Sequence, residues 1–457
     1  MDFNTPLFLF LFLPVTLLVY LVAAPRGRII VAGVASLLFY AWGQPVYLPL
    51  LLGLLLLTYF LAEKGNPRKL WAGVLLNVGA LVFFKAAVTY WFDIPYPLGL
   101  SYVTFTALAY LVDVYRGRVE AERDLLTFAA YLLFFPRLLA GPITRYGTQR
   151  DALAQPRVPL EHFTTGIRRF ILGLAKKALL ADTLARIVTP AFSLATPQFT
   201  PRVAWIVLLA YALQLYFDFS GYTDMALGLG GMMGYALPEN FNAPYLARSI
   251  GDFWRRWHIT LSNWFRDYVF YPLERRRLKI LGQPLNILLV FLLTGLWHGL
   301  TLPFVIWGLI HGLALIFENT RPGRWLKTAP PPLQHLYALT IILLGWVFFR
   351  SPDVPFALAF LQRLAGWTGG LTPLPFGETN PLPLIEPTVW LALAVGVVFA
   401  FPVGGRVTGW VADRWRGNPW GAVMVQGVYD GVLFLLLITS IAAMVSGQFA
   451  PGIYGGF

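Results

Sequence analysis

Residues 284–317 read PLNILLVFLLTGLWHGLTLPFVIWGLIHGLALIF, and this stretch decides the fold class. It holds two apolar runs, 284–300 and 303–317, and each approaches the roughly 20 residues that a helix needs to cross a bilayer. Comparable runs elsewhere are 5–24, 29–42, 46–62, 70–92, 97–114, 125–140, 203–217, 332–349, 389–404 and 428–446. The sequence therefore predicts an all-α polytopic membrane protein with about ten to thirteen transmembrane or re-entrant helices.

Composition supports this prediction. Of the 457 residues, 57% are hydrophobic and 12% are charged, whereas soluble domains have roughly 45–50% and about 25%. These values exclude an ordinary soluble enzyme, a coiled coil and a disordered chain. The absence of cysteine excludes disulfides, zinc–thiolate sites and a cysteine nucleophile.

The net charge of +13 reflects basic loops between apolar runs, and we expect a membrane lipid partner and no nucleic acid. Basic residues follow the first, third and fifth runs, which predicts that the N-terminus lies outside the cytoplasm. The last run then places the C-terminus outside too. We expect one integral-membrane domain over 1–457, with N-terminal helices in 1–124, a core in 125–320 that holds both histidine motifs described below, and C-terminal helices in 321–457.

Two segments have amphipathic spacing. Apolar residues between 161 and 187 recur at helical intervals beside basic ones, which predicts a helix at the membrane interface. Between 252 and 271 the side chains of Arg255, His258, Ser262 and Arg266 share one face of a predicted helix, opposite an aromatic face.

Two histidines are the leading candidates for chemistry. His298 ends an apolar run inside GLWHG (295–299), and an ionisable residue on a membrane helix indicates function. Imidazole suits general-base catalysis because its ordinary pKa is near 6.5. His258 lies in FWRRWH (253–258), and Arg255 one turn earlier is expected to lower the pKa of His258. A structural hydrogen bond at His298, or a headgroup-anchoring helix around His258, explains the same patterns.

The remaining polar candidates have structural alternatives as well. We expect His311 either to line a cavity that it shares with His298 or to make a hydrogen bond in helix packing. Asp218 and Asp224 are six apart, so a helix break at Gly221 would be needed to bring them together for ion coupling; otherwise they bond to Arg or Tyr. Asn240 and Asn242 form a polar turn. No HExxH spacing supports a metal. The candidate substrate contacts are Trp297, Arg255, Asp218, Tyr222, Asp224, Asn240, Asn242 and His311.

With these motifs, the chain resembles the membrane-bound O-acyltransferase (MBOAT) family, and within it the bacterial alginate O-acetyltransferase branch. The pieces that carry the resemblance are FDFSGYTDMALGLGGMMGYALPENFNAPYLARSIGDFWRRWHITLSNWFRDYVFYP at 217–272, LLTGLWHGLTLPFVIWGLIHG at 292–312, PLGLSYVTFTALAYLVDVYRG at 97–117, FFPRLLAGPITRY at 134–146 and MDFNTPLFLFLFLP at 1–14.

The resemblance implies a helical fold around a central tunnel and transfer of an acyl group from a thioester donor to a hydroxyl. It assigns the catalytic histidine to His298 and a second polar residue, forty positions earlier, to His258. It also implies a bacterial inner-membrane location, acetyl-CoA as the cytoplasmic donor, no bound cofactor, and an extracytoplasmic partner of the SGNH hydrolase type that completes transfer to the polymer.

The acceptor stays open among alginate, other exported polysaccharides and peptidoglycan. After the WRRWH motif this chain reads YPLERRR at 271–277 where alginate-type members continue with a glycine-rich piece. WHGLT at 297–301 also resembles relatives that pass D-alanine toward teichoic acids, and the basic segment Arg275 to Lys279 is a candidate docking surface for their acidic carrier protein. A proton- or ion-coupled transporter is the alternative from another class.

Overall fold

The computed structural model of the chain describes residues 1–194, 197, 199–275, 282–367, 385–403, 414–415 and 419–446. These residues contain helices and no β-strand, which confirms the all-α prediction for the described part of the chain. Residues 368–384, 404–413 and 416–418, and residues 276–279 of the basic segment, lie outside the described residues.

The helices follow the predicted apolar runs closely. In chain order they are α1 Phe8–Val22, α2 Pro25–Gly43, α3 Leu48–Leu61, α4 Pro67–Trp91, α5 Leu100–Tyr115, α6 Leu125–Leu132, α7 Phe135–Leu138, α8 Tyr146–Ala154, α9 Leu160–Ala175, α10 Asp182–Phe192, α11 Pro201–Met232, α12 Ile250–Arg256, α13 Ile259–Phe265, α14 Tyr271–Arg275, α15 Gly282–His298, α16 Leu302–Asn319, α17 Arg321–Leu326, α18 Pro331–Arg350, α19 Val354–Leu364, α20 Pro387–Phe399 and α21 Pro419–Val445.

Helix starts in the sequence have recognisable local causes. Proline opens several helices at their first or second position, where its missing N–H costs nothing; α2, α4 and α18 are examples. Short polar side chains cap others: Asn66 Oδ1 accepts from the Lys69 N–H at α4, and Asp353 Oδ1 accepts from the Phe356 N–H at α19. Proline and short polar residues therefore account for these boundaries.

Five of these helices are long and apolar enough to cross a membrane, within the residues that the structure describes. They are Pro67–Trp91, Pro201–Met232, Leu302–Asn319, Pro331–Arg350 and Trp420–Val445. Shorter apolar helices of 10–17 residues, such as α1 and α20, accompany them. The finding supports a multi-pass membrane protein.

The described residues form two compact units. The first contains residues 1–174 and 220–240. In it α5 is buried along nearly its whole length. The glycines near the end of α11 pack closely: a methyl group added at Gly228 would meet the backbone of Gly166 and Phe170 on α9. Tyr20 on α1 donates a hydrogen bond to the Met233 carbonyl at 2.7 Å.

The second unit contains residues 175–219 and the described residues from 241 onward. Its centre is the antiparallel pair α15 and α16, with α18 packed against α16 and α12 packed against both α16 and α18. The division of the chain at 124 and 320 stays a prediction.

The two amphipathic segments fold differently from each other. Helix α9 continues through a wider turn, Lys176–Ala181, into α10, so the predicted helix over 161–187 is present; its position at an interface stays a prediction. The predicted single helix over 252–271 is wrong. The chain breaks between α12 and α13 at Trp257 and His258, so Arg255 and His258 do not share a helix face.

Candidate functional site

His298 occupies the C-terminal end of α15, where α15 and α16 approach each other closely. A methyl group added at Gly295 would collide with the Phe304 carbonyl, and one added at Gly308 would collide with the Phe291 carbonyl. Because Gly295 and Gly308 carry no side chain, each lets the backbone of the other helix approach this closely. The crossing fixes the end of α15 and therefore the position of His298.

Aromatic rings surround His298. Its imidazole lies 4.8 Å from the Phe349 ring and 5.0 Å from the Trp307 ring, both edge-on, and 4.4 Å from the Trp297 ring. His298 is only 5% exposed. The sequence did not identify these neighbours: Phe349 lies on α18, far along the chain, and Phe304 and Trp307 reach His298 only through the packing of α16 on α15. The rings make a dry setting, which is where a general base and a water-sensitive thioester would be protected.

His258 reaches the interior through an unusual backbone conformation. Its φ of 44° lies in the left-handed region, which costs a non-glycine residue about 1–2 kcal/mol, and this turn separates α12 from α13. The side chain is 1% exposed, and its ring meets the Phe219 ring edge-on at 4.7 Å. Burial lowers the pKa of His258 to about 3. The imidazole is therefore neutral at physiological pH.

The Trp297 ring joins the two histidines. Its centroid lies 6.3 Å from that of His258 and 4.4 Å from that of His298, both within the range of aromatic contact. The fold therefore brings His258, Trp297 and His298 together, although forty residues separate the histidines in sequence. Two buried imidazoles, of which that of His258 is neutral, around one indole are groups that can take up or donate a proton.

His311 lies in the same unit but has different neighbours. It is fully buried among rings of α12, α15, α16 and α18, with the Trp307 ring at 5.2 Å and the Trp254 ring at 5.3 Å. Neither ring nitrogen of His311 has a hydrogen-bond partner among the described residues. Trp307 contacts both His311 and His298, so one indole links the two histidines.

Arg255 lies away from His258's interior setting. Its side chain is 71% exposed on the outer side of α12, where Nη2 lies 3.5 Å from Asp252. The interpretation of Arg255 as the cause of a low His258 pKa is wrong, because burial of the imidazole produces the shift. The break after α12 explains why the prediction failed, because it directs the Arg255 and His258 side chains to different surroundings.

Asp218 belongs to a buried ion cluster. The Lys177 ammonium lies 2.7 Å from the carboxylates of both Asp218 and Asp182, and all three side chains are about 6% exposed or less. Burial alone would lower the pKa of Lys177, but the two carboxylates raise it above its ordinary value. The amphipathic pattern over 161–187 predicted an interfacial position for the basic residues of this segment and gave no sign that Lys177 is buried.

Three other candidates lie in the first unit. Helix α11 is unbroken at Gly221, so Asp224 does not meet Asp218; its Oδ1 accepts hydrogen bonds from Arg169 Nε and Nη2 at 3.0 and 2.8 Å. The Tyr222 ring stacks on the Phe3 ring at 4.8 Å, and Asn240 is fully buried. Asp224 is therefore ion-paired with Arg169, and the Tyr222 ring is stacked on Phe3.

Asn242 lies in the second unit with an exposed side chain. Its backbone N–H donates to the Arg256 carbonyl at 2.9 Å, so the Asn242 main chain holds the end of α12. Among the described residues no group of three or more His, Asp or Glu side chains is placed to hold a metal ion.

Comparison with known proteins gives this geometry a family context. The sequence model of the MBOAT, membrane-bound O-acyltransferase family matches residues 98–342, which include both His258 and His298. A "probable alginate O-acetylase" of Pseudomonas putida is 35% identical, and the match covers 100% of each chain.

Two further relatives differ in the chemistry that their names state. A "peptidoglycan O-acetyltransferase" of Helicobacter pylori is 36% identical over 80% of each chain. A "teichoic acid D-alanyltransferase" of Bacillus subtilis is 33% identical, over 44% of this chain and 54% of its own length. The acetylating relatives therefore match more of this chain than the D-alanylating one.

Proposed function

This chain belongs to the membrane-bound O-acyltransferase family and is an O-acyltransferase, and from that premise we propose that it moves acetyl groups from acetyl-CoA to hydroxyls of an exported polysaccharide. The observation that carries the proposal is the contact of His258 and His298 with one ring, Trp297, in a buried aromatic setting. The full-length match to a relative named for alginate O-acetylation supports the acetyl group and a glycan acceptor.

In the proposed reaction His298 is the general base. As the acceptor hydroxyl oxygen attacks the thioester carbonyl carbon, its proton passes to the imidazole of His298. Collapse of the tetrahedral species breaks the carbon–sulfur bond, and the departing sulfur takes the proton from the imidazolium. The products are an acetyl ester and free CoA, and His298 returns to its neutral state. The surrounding rings limit hydrolysis of the thioester by water.

His258 has a different role in this proposal. Because burial lowers its pKa to about 3, it offers a neutral N–H or an acceptor nitrogen at physiological pH. A neutral donor held rigidly in a dry site stabilises a developing oxyanion without reorganisation at the moment of reaction. The left-handed backbone at His258 and its contact with Phe219 hold the ring in place.

Transport of the group across the membrane follows from the predicted topology. We place the protein in the bacterial inner membrane with both termini outside the cytoplasm, so that acetyl-CoA binds from the cytoplasmic side. An SGNH hydrolase-type protein outside receives the acetyl group and completes transfer to the polymer. The acceptor is alginate or a similar glycan; peptidoglycan is the alternative that the Helicobacter pylori relative supports.

The second candidate function is transfer of D-alanine from a carrier protein. The partial match to a teichoic acid D-alanyltransferase supports it, and Arg275 is the described residue of the basic segment where such a carrier would dock. Ion-coupled transport receives no support, because Asp218 and Asp224 lie in separate ion pairs with Lys177 and Arg169.

The test of the proposed donor uses the full chain in nanodiscs with the SGNH-type partner. Labelled acetyl-CoA and a labelled D-alanyl carrier protein are supplied in parallel with alginate and peptidoglycan oligomers. We expect label to reach a glycan from acetyl-CoA and not from the D-alanyl carrier protein. Transfer from the D-alanyl carrier alone would replace the proposal by the second candidate.

A further inference from the structure

A recessed cleft opens at the start of α12, beside α16, α17 and α18. It has a volume of about 540 Å³, and a neighbouring hollow of about 600 Å³ shares Arg248 and Asp252 with it. These volumes lie in the range of small-molecule sites, roughly 300–1,000 Å³. The charged residues that line the first hollow are Arg248, Asp252, Arg255, Glu318 and Lys327, and we call it the basic cleft.

The two carboxylates of the basic cleft are occupied by contacts within the protein. Glu318, which is 4% exposed, accepts hydrogen bonds from the backbone N–H groups of Ile250 and Gly251 at the start of α12. Asp252 accepts from Arg256 Nε at 3.1 Å and from the Arg248 N–H at 3.2 Å. Asp252 also lies 3.5 Å from Arg255 Nη2, and Glu318 is in electrostatic contact with Lys327, so the three cations of the cleft exceed its two carboxylates by one positive charge.

The cations of the basic cleft are available to solvent. Arg248 and Lys327 are exposed, and Arg255 is 71% exposed with one contact to Asp252 at 3.5 Å. Guanidinium and ammonium groups around a hollow of this size are suited to phosphate oxygens, which accept charge-assisted hydrogen bonds. The cleft therefore presents the chemistry of a site for a phosphorylated ligand.

Helix α12 connects the basic cleft to the histidine site. Asp252 and Arg255 lie on the cleft side of this seven-residue helix, while Phe253 lies on its other side, against Trp257 and His311. At 1.5 Å per residue α12 is about 10 Å long, and His258 follows it after one residue. A ligand with a phosphate end and a long thioester arm would reach from the basic cleft to the histidine site.

We propose that the basic cleft binds the phosphate groups of the pantetheine thioester that donates the acyl group. The inference rests on the proposed function and adds a location to it: Arg248, Arg255 and Lys327 hold the phosphates while the thioester extends along α12 toward Trp297. CoA and a phosphopantetheine carrier share this chemistry. A recessed hollow rather than a flat basic surface favours the phosphates of a free donor over a lipid headgroup.

The test measures binding of desulfo-CoA, which lacks the thiol, to the full-length protein in nanodiscs of neutral phosphatidylcholine. The Arg248→Gln/Lys327→Gln double variant is expected to bind about tenfold more weakly, because two charge-assisted contacts are removed. In acetyl transfer the same variant raises the KM for acetyl-CoA while kcat at saturation changes less than twofold.

The matched control is the Lys64→Gln/Arg68→Gln double variant, which removes two exposed cations from the first unit. It should bind desulfo-CoA as the wild type does. If both double variants bind desulfo-CoA equally well, the proposal is overturned. It is also overturned if added phosphatidylglycerol occupies the cleft and abolishes the difference in desulfo-CoA affinity between the wild type and the Arg248→Gln/Lys327→Gln variant. If the wild type binds desulfo-CoA through the cleft but transfers no acetyl group, the proposed function fails and the phosphate site stands.

Discussion

The imidazole of His298 stands nearly perpendicular to the indole of Trp307, with ring centroids 5.0 Å apart and 87° between the planes. Trp307 is 1% exposed, and its ring also contacts the His311 ring at 5.2 Å. The indole is therefore part of the wall that separates His298 from water. Removing it changes access to the base without changing the base itself.

We expect Trp307→Ala to uncouple thioester cleavage from transfer. The lost ring admits water beside His298, so the ratio of acetyl-CoA hydrolysis to acetyl transfer should rise at least about tenfold. The measurement compares CoA release with labelled glycan. Trp307→Phe, which keeps an aromatic wall, is the control, and an unchanged ratio in a folded Trp307→Ala protein would contradict the role of the indole.

The crossing of α15 and α16 gives a second prediction. Gly295→Ala places a methyl group against the Phe304 carbonyl, so the helices must separate and His298 must move. We expect a destabilisation of about 1–3 kcal/mol and a loss of most transfer activity. Gly79→Ala is the matched substitution, because nothing lies within 4 Å of its added methyl group. If Gly295→Ala and Gly79→Ala have similar thermal unfolding midpoints and similar activities, the close crossing of α15 and α16 is ruled out.

The helical fold was predictable because its signals are local. Apolar runs and the prolines and short polar residues before them mark α2, α4 and α18 with little tertiary information. The motifs GLWHG and FWRRWH also drew attention to His298 and His258, whose roles the resemblance to the MBOAT family implied, and the structure brings both to Trp297. Their catalytic roles stay predictions.

The arrangement around these motifs was not predictable from periodicity. A helix pattern over 252–271 gave no sign that His258 adopts φ of 44°, since left-handed turns at non-glycine residues depend on packing. The break sends Arg255 outward. Burial of Lys177 likewise depends on Asp218, which lies on another helix, and a sequence pattern carries no information about such a pairing.

His258 predicts a specific dependence of stability on pH. Its pKa is about 3 in the folded protein and near 6.5 when unfolded, so the unfolded state binds the proton first as pH falls. The stability that His258 contributes is complete above pH 6.5 and is lost progressively below it, toward pH 3. His258→Asn tolerates a left-handed backbone and does not titrate.

We therefore expect the wild type to lose more thermal stability between pH 7.5 and pH 5 than His258→Asn does, and unfolding midpoints in one detergent would measure this. The His162→Asn variant serves as the control, because His162 is exposed. Identical pH dependence in the wild type and His258→Asn would show that His258 is not buried in its neutral form.

The buried ion cluster makes a separate prediction. Lys177→Met removes the ammonium that lies 2.7 Å from both Asp182 and Asp218, and two carboxylates stay buried without it. Breaking a buried ion pair costs about 3–5 kcal/mol, so the variant should be recovered in much lower yield of folded protein. The control is Lys176→Met, which makes the same substitution at the neighbouring lysine. Equal size-exclusion profiles and midpoints for the two variants would contradict the cluster's structural role.

The central claim is that His298 is the base of an acetyl transfer. The most direct measurement is single-turnover transfer from labelled acetyl-CoA to acceptor by the full chain in nanodiscs, with the SGNH-type partner present. His298→Gln should lower the rate by about 10²–10⁴-fold, the usual contribution of a general base, while His162→Gln leaves it unchanged. A folded His298→Gln protein that transfers acetyl at the wild-type rate would contradict the account.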